Sequence, residues 1–260
     1  MIKSDFGQIK LSRLEIKVIK ADLKEIQAFR ILFLQESNFQ FVHNKCHLYS
    51  WADTYLFIID NIKIGYGSVW GRNKREDRDA IFEFYVIIPY RKFANTCFEK
   101  FHSESGIPFI ECQSNDLLLS SMLYEYSQNI NAEAILFKDH YQTNFAIAGV
   151  IFQKKTAEEN VRDDDRAYIL KQNDEVVATG GLMLNYNMPY ADIYYEVNEN
   201  YRQKGYGSFM VQELKKEAYL MGRIPAARCN IKNRISKASL LKAGFVVCGC
   251  ILNGEIKEHS

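Results

Sequence analysis

From Thr54 onward the chain alternates short apolar runs with turn signals. Tyr55 to Ile59 is apolar and β-prone, Asp60-Asn61 is a turn pair, and Ile62 to Trp70 is a second β-prone run. This pattern predicts a hairpin. A third strand is expected over Ile81 to Ile87, after the polar loop Arg72 to Arg78. Pro89 then stops the strand, and Lys92 to Ser103 sets Phe93, Cys97, Phe98 and Phe101 on one side of a helix. Ile107 to Cys112 predicts a strand. Asp116 to Gln128 predicts a helix capped by Ser114 or Asn115, and Ala134 to Phe137 a closing strand.

The second half runs in the same order. A hairpin is predicted from Ala167 to Lys171 and Val176 to Leu184, around the turn Gln172-Asn173-Asp174. Asp192 to Val197 is a strand and Gly205 to Met221 a long helix with Phe209, Val211, Leu214, Ala218 and Met221 largely on one side. A strand at Ile224 to Cys229, a helix at Ser236 to Ala243 and a strand at Val246 to Leu252 complete it. Pieces of the halves overlay. Tyr90-Arg91-Lys92 falls where Tyr201-Arg202-Gln203 falls, and Gly65 and Gly67 fall near Gly180 and Gly181. A domain-sized repeat predicts two α+β units of like topology, each a mixed sheet flanked by helices. They are expected at residues 1–150 and 151–260, with the boundary between Tyr141 and Ala157.

Composition narrows the function. In 260 residues, 47% are hydrophobic and 25% charged, enough for one or two cores. The 33 basic residues balance 32 acidic ones to a formal charge of +1, which gives no support to a nucleic-acid partner. The run Arg162 to Arg166 mixes both signs and reads as a solvated loop. No apolar run approaches a membrane span, and the N-terminus lacks a signal-peptide layout. Six scattered cysteines fit a reducing, cytoplasmic setting. His43 and His47 stand one helical turn apart without a third ligand, so no metal is expected.

The segment Ile193 to Ser208 carries the chemistry. It reads as strand, tight turn and helix, with Arg202-Gln203-Lys204-Gly205-Tyr206-Gly207 at the turn. Two glycines leave backbone N–H groups uncovered at the positive end of a helix, beside Arg202 and Lys204. That combination suits a pyrophosphate. About thirty residues on, Asn233-x-x-Ser236 opens a capped helix that stops at Gly244-Phe245.

Together these elements resemble the acetyl-CoA signature of the GNAT superfamily of N-acetyltransferases, over about residues 165–252. The earlier half is similar only in its order of elements, as in tandem GNAT proteins. The resemblance implies that Val197 offers backbone groups to the pantetheine arm and that Arg202, Gln203, Lys204, Gly205, Tyr206, Gly207 and Ser208 wrap the pyrophosphate through main-chain N–H groups. It implies that Asn233 hydrogen-bonds near the pantetheine or the motif strand, and that Ser236 faces the cofactor. Arg91 to Thr96 has no glycine, so the first half is expected to have lost its cradle and to serve as scaffold and part of the substrate wall.

Acyl transfer from acetyl-CoA to a primary amine of a small, amino-acid-like acceptor is the expected activity, with a monomer or homodimer as the working unit. The transfer needs a base. Glu196 on the motif strand is the first candidate and Asp192, on the same face by alternation, the reserve. Many GNAT enzymes carry a tyrosine acid four residues before the Gly-Phe pair. Leu240 stands there, leaving Tyr194, Tyr195 or water. An acyl-CoA sensor without turnover, or aminoacyl transfer from charged tRNA, are the rival readings.

Overall fold

The β-prone runs pair as the pattern predicts, but they join into one sheet instead of two. A computed structural model describes residues 15–37, 39–41, 44–74, 76–156 and 167–257; His43 and the run Arg162 to Arg166 lie outside them. The first half comprises β1 (Ile16–Ala21), α1 (Leu23–Glu36), α2 (Asn44–Leu48), β2 (Ala52–Ile59), β3 (Ile62–Trp70) and β4 (Ala80–Val86). A 3-10 turn, Ile88–Phe93, leads into α3 (Ala94–Ser105), β5 (Phe109–Gln113), α4 (Leu117–Tyr126) and β6 (Ser127–Asp139). The second half comprises β7 (Val150–Lys154), β8 (Tyr168–Gln172), β9 (Glu175–Met183) and β10 (Tyr190–Val197). After a 3-10 turn at Glu199–Tyr201 come α5 (Tyr206–Leu220), β11 (Ile224–Asn230), α6 (Arg234–Lys242) and β12 (Phe245–Ile256). The pattern did not predict β1, α1, α2 or β7. The cap of α4 is Asp116, whose carboxylate accepts from the Leu119 N–H at 3.0 Å, and not Ser114 or Asn115.

All twelve strands form one sheet, in the order β1-β2-β3-β4-β5-β12-β6-β11-β10-β9-β8-β7. The centre is an exchange. β12, the last strand of the second half, lies between β5 and β6, while β6 of the first half pairs with β11. The two halves are therefore joined through β5-β12-β6-β11, although residues 140–148 between them form no strand. Only β4–β5 and β10–β11 are parallel, and each is brief. β4 stops pairing with β5 after Ile81 and Ile110, and β10 with β11 after Asp192 and Ala226. The same splay occurs once in each half.

Side-chain alternation separates the two faces. On β6, Ile135 and Phe137 pack with α5 and α6, while Ala134 and Leu136 face the other way, toward Phe41 and Tyr186. On β12, Ile256 packs with α3 and α4, whereas Ile251 joins Ala134. So α3 to α6 cover one face. On the opposite face α1 packs through Ile26 and Phe33 against Leu56 and Tyr66, and α2 through Cys46 against Trp70 and Phe82. Each such fully buried apolar side chain stabilises the fold by about 1.5–3 kcal/mol. No helix among the described residues is long and apolar enough to cross a membrane.

Two buried ionic groups pin these layers. Arg30 on α1 and His47 on α2 both reach Glu83 on β4, at 3.1 and 2.9 Å, and the Tyr66 hydroxyl donates to the same carboxylate at 3.1 Å. Burial alone would raise the Glu83 carboxyl, but Arg30 and His47 hold it at about 2. In the second half Lys215 on α5 donates to the carbonyls of Tyr141 (2.7 Å) and Ala243 (2.8 Å) and pairs with Asp139. Here Gly244 (φ 89°) is required, because a Cβ would lie 2.1 Å from the Tyr141 carbonyl oxygen. Removing Lys215 strands a buried carboxylate, which costs about 3–5 kcal/mol. Lys215→Met is therefore expected to lower unfolding stability in urea by about that amount; a loss below ~1 kcal/mol would show that the pair does not hold the joint.

Candidate active site

The site begins where two parallel strands part. Beyond Asp192, β10 keeps its antiparallel pairing with β9 through Val197, while β11 stays paired with β6 through Asn230. The facing edges of Ile193 to Val197 and Ala227 to Asn230 have no ladder partner in each other. Strand edges of this kind accept an extended chain bearing amides.

At the open end the turn folds under constraint. Gln203 (φ 63°) and Gly205 (φ 91°) are both left-handed, and α5 starts at Tyr206 with Gly205 as a cap that makes no side-chain hydrogen bond. The first-turn N–H groups of the 15-residue helix thus point out of its positive end. Arg202 does not reach into this cradle: its Nε donates to the Val197 carbonyl at 3.2 Å and braces the turn against the strand. Lys204 Nζ donates to the Asn200 carbonyl at 3.1 Å. Lys242 on α6, which the sequence pattern did not single out, is the cation beside Gly205; a Cβ on that glycine would lie 3.9 Å from its Nζ.

The two glycines have different jobs. Gly205 supplies the left-handed backbone. Gly207 is buried, and a Cβ there would meet Tyr195 Cε2 at 3.1 Å and Ser239 Oγ at 3.2 Å, so its role is close packing of α5 on β10 and α6. Tyr206 and Ser208 point into the core, with the Tyr206 hydroxyl bonded to Gln172. Only their main chain can face an anion. Asn233 Oδ1 accepts from the Ser236 N–H at 3.0 Å and so caps α6. Ser236 Oγ lies 3.4 Å from the Tyr195 hydroxyl, alongside the splayed strands. Leu240 is core, fully buried against α5.

Alternation on β10 sends Ile193, Tyr195 and Val197 toward α5 and sends Asp192, Tyr194 and Glu196 to the opposite face. Of the candidate bases, Glu196 is half-buried near the strand end, and Tyr194 lies over Gly181. Asp192 is buried at the point of parting. Its Oδ2 is 3.8 Å from Arg228 Nε, and its Oδ1 has no hydrogen-bond partner among the described residues. Burial pushes the Asp192 carboxyl up to about 7 against the opposing pull of Arg228 and Lys45. Arg228 and Lys45 both reach the Tyr186 hydroxyl, at 2.6 and 3.0 Å. Lys45 and Phe41 bring the first half against this side of the second. Sequence reading missed Lys45, Tyr186 and Arg228, because nothing local marks residues that meet only through the sheet. Among the described residues no group of three His, Cys, Asp or Glu is placed to hold a metal ion.

The first half repeats this scaffold without the left-handed turn. Arg91 Nε donates to the Val86 carbonyl at 3.1 Å, five residues back, as Arg202 does to Val197. But α3 is preceded by ordinary right-handed backbone, with Phe93 at φ −102° and Ala94 at φ −58°. Arg91 also pairs with Glu36, which accepts from the Tyr85 hydroxyl at 3.1 Å. These groups line a cavity of only about 120 Å³ in that cleft.

Residues 133–245 match the sequence profile of the Acetyltransferase (GNAT) family. No curated protein matches the chain in sequence. The fold is similar to an acetyltransferase from the GNAT family of Colwellia psychrerythraea, with TM-score 0.73 and 14% identity over 94% of this chain and 100% of that one. It is also similar to a GCN5-related N-acetyltransferase from Sphaerobacter thermophilus, with TM-score 0.61 and 14% identity over 96% and 98% of the two chains. A tandem GNAT protein from the clavulanic acid biosynthesis pathway aligns with TM-score 0.59 and 10% identity over 95% of this chain and 100% of that one.

Gly205→Val should weaken CoA binding, measured by calorimetry, by at least ~10-fold, because it forces a β-branched residue into left-handed backbone at the cradle. Ala94→Gly, at the corresponding turn of the first half, should leave affinity unchanged. Unchanged affinity in Gly205→Val would remove the turn from the CoA site.

Proposed function

We propose, from the match of residues 133–245 to the GNAT acetyltransferase family, that the protein transfers the acetyl group of acetyl-CoA to a primary amine of a small acceptor. The observation that carries this reading is the junction at Asp192. On one side of it the splayed strands lead to the left-handed turn and uncapped start of α5; on the other lies a buried carboxylate walled by residues of both halves. The residues present fit the cofactor: free strand edges suit the pantetheine amides, and the first turn of α5 with Lys242 suits a pyrophosphate. Bound there, acetyl-CoA supplies an acyl group activated as a thioester.

Asp192 is the base in this reading, in preference to Glu196. An amine is nucleophilic only when neutral, and a carboxylate titrating near pH 7 takes its proton without being permanently protonated. Nitrogen bonds to the acyl carbon, the carbon–sulfur bond breaks, the amine proton passes to Asp192 Oδ1, and the thiolate takes a proton from water. A thiol acidity near pH 8.5 makes a dedicated acid dispensable, which accommodates Leu240 in the core. Tyr194, on the same face two residues on, is a positioning group.

Thiol release over an amine panel tests the activity. Its kcat/KM should rise through about pH 7, and Asp192→Asn should cut it ~100-fold or more and flatten the profile. Because the folded Asp192 carboxyl titrates above its unfolded value, the native state holds that proton more tightly. Stability is thus lost as pH rises from about 4 to about 7. Asp192→Asn should therefore raise Tm more at pH 8 than at pH 4. Tight CoA binding with no thiol release on any amine would replace the transferase by an acyl-CoA sensor.

A further inference from the structure

A cavity of about 530 Å³ lies over the central strands, and both halves line it. Its chemistry changes from one end to the other. At the β11 end Arg228 and Lys45 converge on Tyr186, and Arg228 stands beside the Asp192 carboxylate at 3.8 Å. Asp192 lies behind this lining, its Oδ1 without a hydrogen-bond partner among the described residues, and a cation with a carboxylate beside it matches the adjacent carboxylate and amine of an α-amino acid. Toward β5 the lining holds the acceptors Glu111 on β5, Glu133 on β6 and Asn253 on β12, beside Trp70, Asn73 and Arg72, whose guanidinium stacks on Phe109 and pairs with Asp79 at 3.9 Å. Asn253 is 8% exposed; its Nδ2 donates to Glu133 Oε2 at 2.9 Å, and its Oδ1 has no hydrogen-bond partner among the described residues. A buried amide oxygen so placed calls for a donor from a ligand. β11 and β5 are three strand spacings apart, about 14 Å. Side chains reaching in from both ends reduce that to the length of a small extended molecule.

We propose that this cavity binds the acceptor as a dipolar α-amino acid. Its carboxylate lies against Arg228 and Lys45, its α-amine beside Asp192, and a distal ammonium faces Glu111, Glu133 and Asn253 Oδ1. The assignment rests on the acetyltransferase reading, and it adds a charge pattern that reading does not require. Lysine carries all three groups. Norleucine lacks the distal ammonium, and cadaverine lacks the carboxylate.

Calorimetric titration of the full chain with these three compounds, with and without CoA, tests the pattern. L-lysine should bind at least ~10-fold more tightly than norleucine or cadaverine. Glu111→Gln and Asn253→Ala should each erase the preference over norleucine while leaving norleucine affinity unchanged, which also reports that the variants are folded. Equal affinity for the three compounds, no binding of any, or an undiminished preference in both variants would overturn the proposal. Selective lysine binding without thiol release from acetyl-CoA would uphold it and sink the transferase reading. Thiol release with cadaverine as good as with lysine would do the reverse.

Discussion

β10 and β11 share a parallel ladder only as far as Asp192 and Ala226, and the position of that parting decides what the second half can do. Up to it, the two strands form an ordinary stretch of sheet. Past it, each keeps its outer partner, β9 or β6, and turns an unpaired edge toward the other. The opening ends at the first turn of α5, where the left-handed Gln203 and Gly205 aim a helix N-terminus back along it. Its closed end is Asp192, where burial raises the carboxyl to about 7. Helix N-terminus, strand opening and buried carboxylate are thus aligned by one geometric event.

The first half contains the same parting, after Ile81, and the same brace, with Arg91 bonded to Val86 as Arg202 is to Val197. What it lacks is backbone freedom at the turn. Ala94 stands in right-handed backbone, and the Arg91–Glu36 pair with Tyr85 lines a cavity of only about 120 Å³ beside the start of α4. Its contribution lies elsewhere. By giving β6 to the second half and receiving β12 between β5 and β6, it makes the two units one sheet. It then places Phe41, Lys45 and Glu111 where the second half alone has no residues.

Local signals made much of this legible in the sequence. The 2-residue and 3.6-residue periods located the hairpins around Asp60-Asn61 and Asn173-Asp174 and the helices from Gly205 and near Ser236, because each element's pattern is set by its own buried face. The turn at Gly205 was readable because few residues tolerate left-handed backbone. Gly207 was readable as a glycine but not as a packing glycine, since the Ser239 and Tyr195 contacts that require it come from distant strands and helices. β1 and α1 were missed because their apolar residues do not mark one buried face: Ile19, Ile31 and Leu32 are exposed, while Arg30 is buried. The strand exchange, and with it the meeting of Lys45, Tyr186, Arg228 and Asp192, depends on pairings over a hundred residues apart that no local period encodes. That Asp192 is buried and Glu196 only half-buried is likewise set by the fold, which alternation does not give.

In the proposed reading two like halves carry a single cofactor cradle, formed by the turn before α5. Calorimetric titration of the full chain with CoA tests this most directly, through its stoichiometry. One molecule should bind per chain. Two per chain would mean that the Arg91–Glu36 cleft still binds CoA, and no binding would mean that the turn at Gly205 is not a cradle.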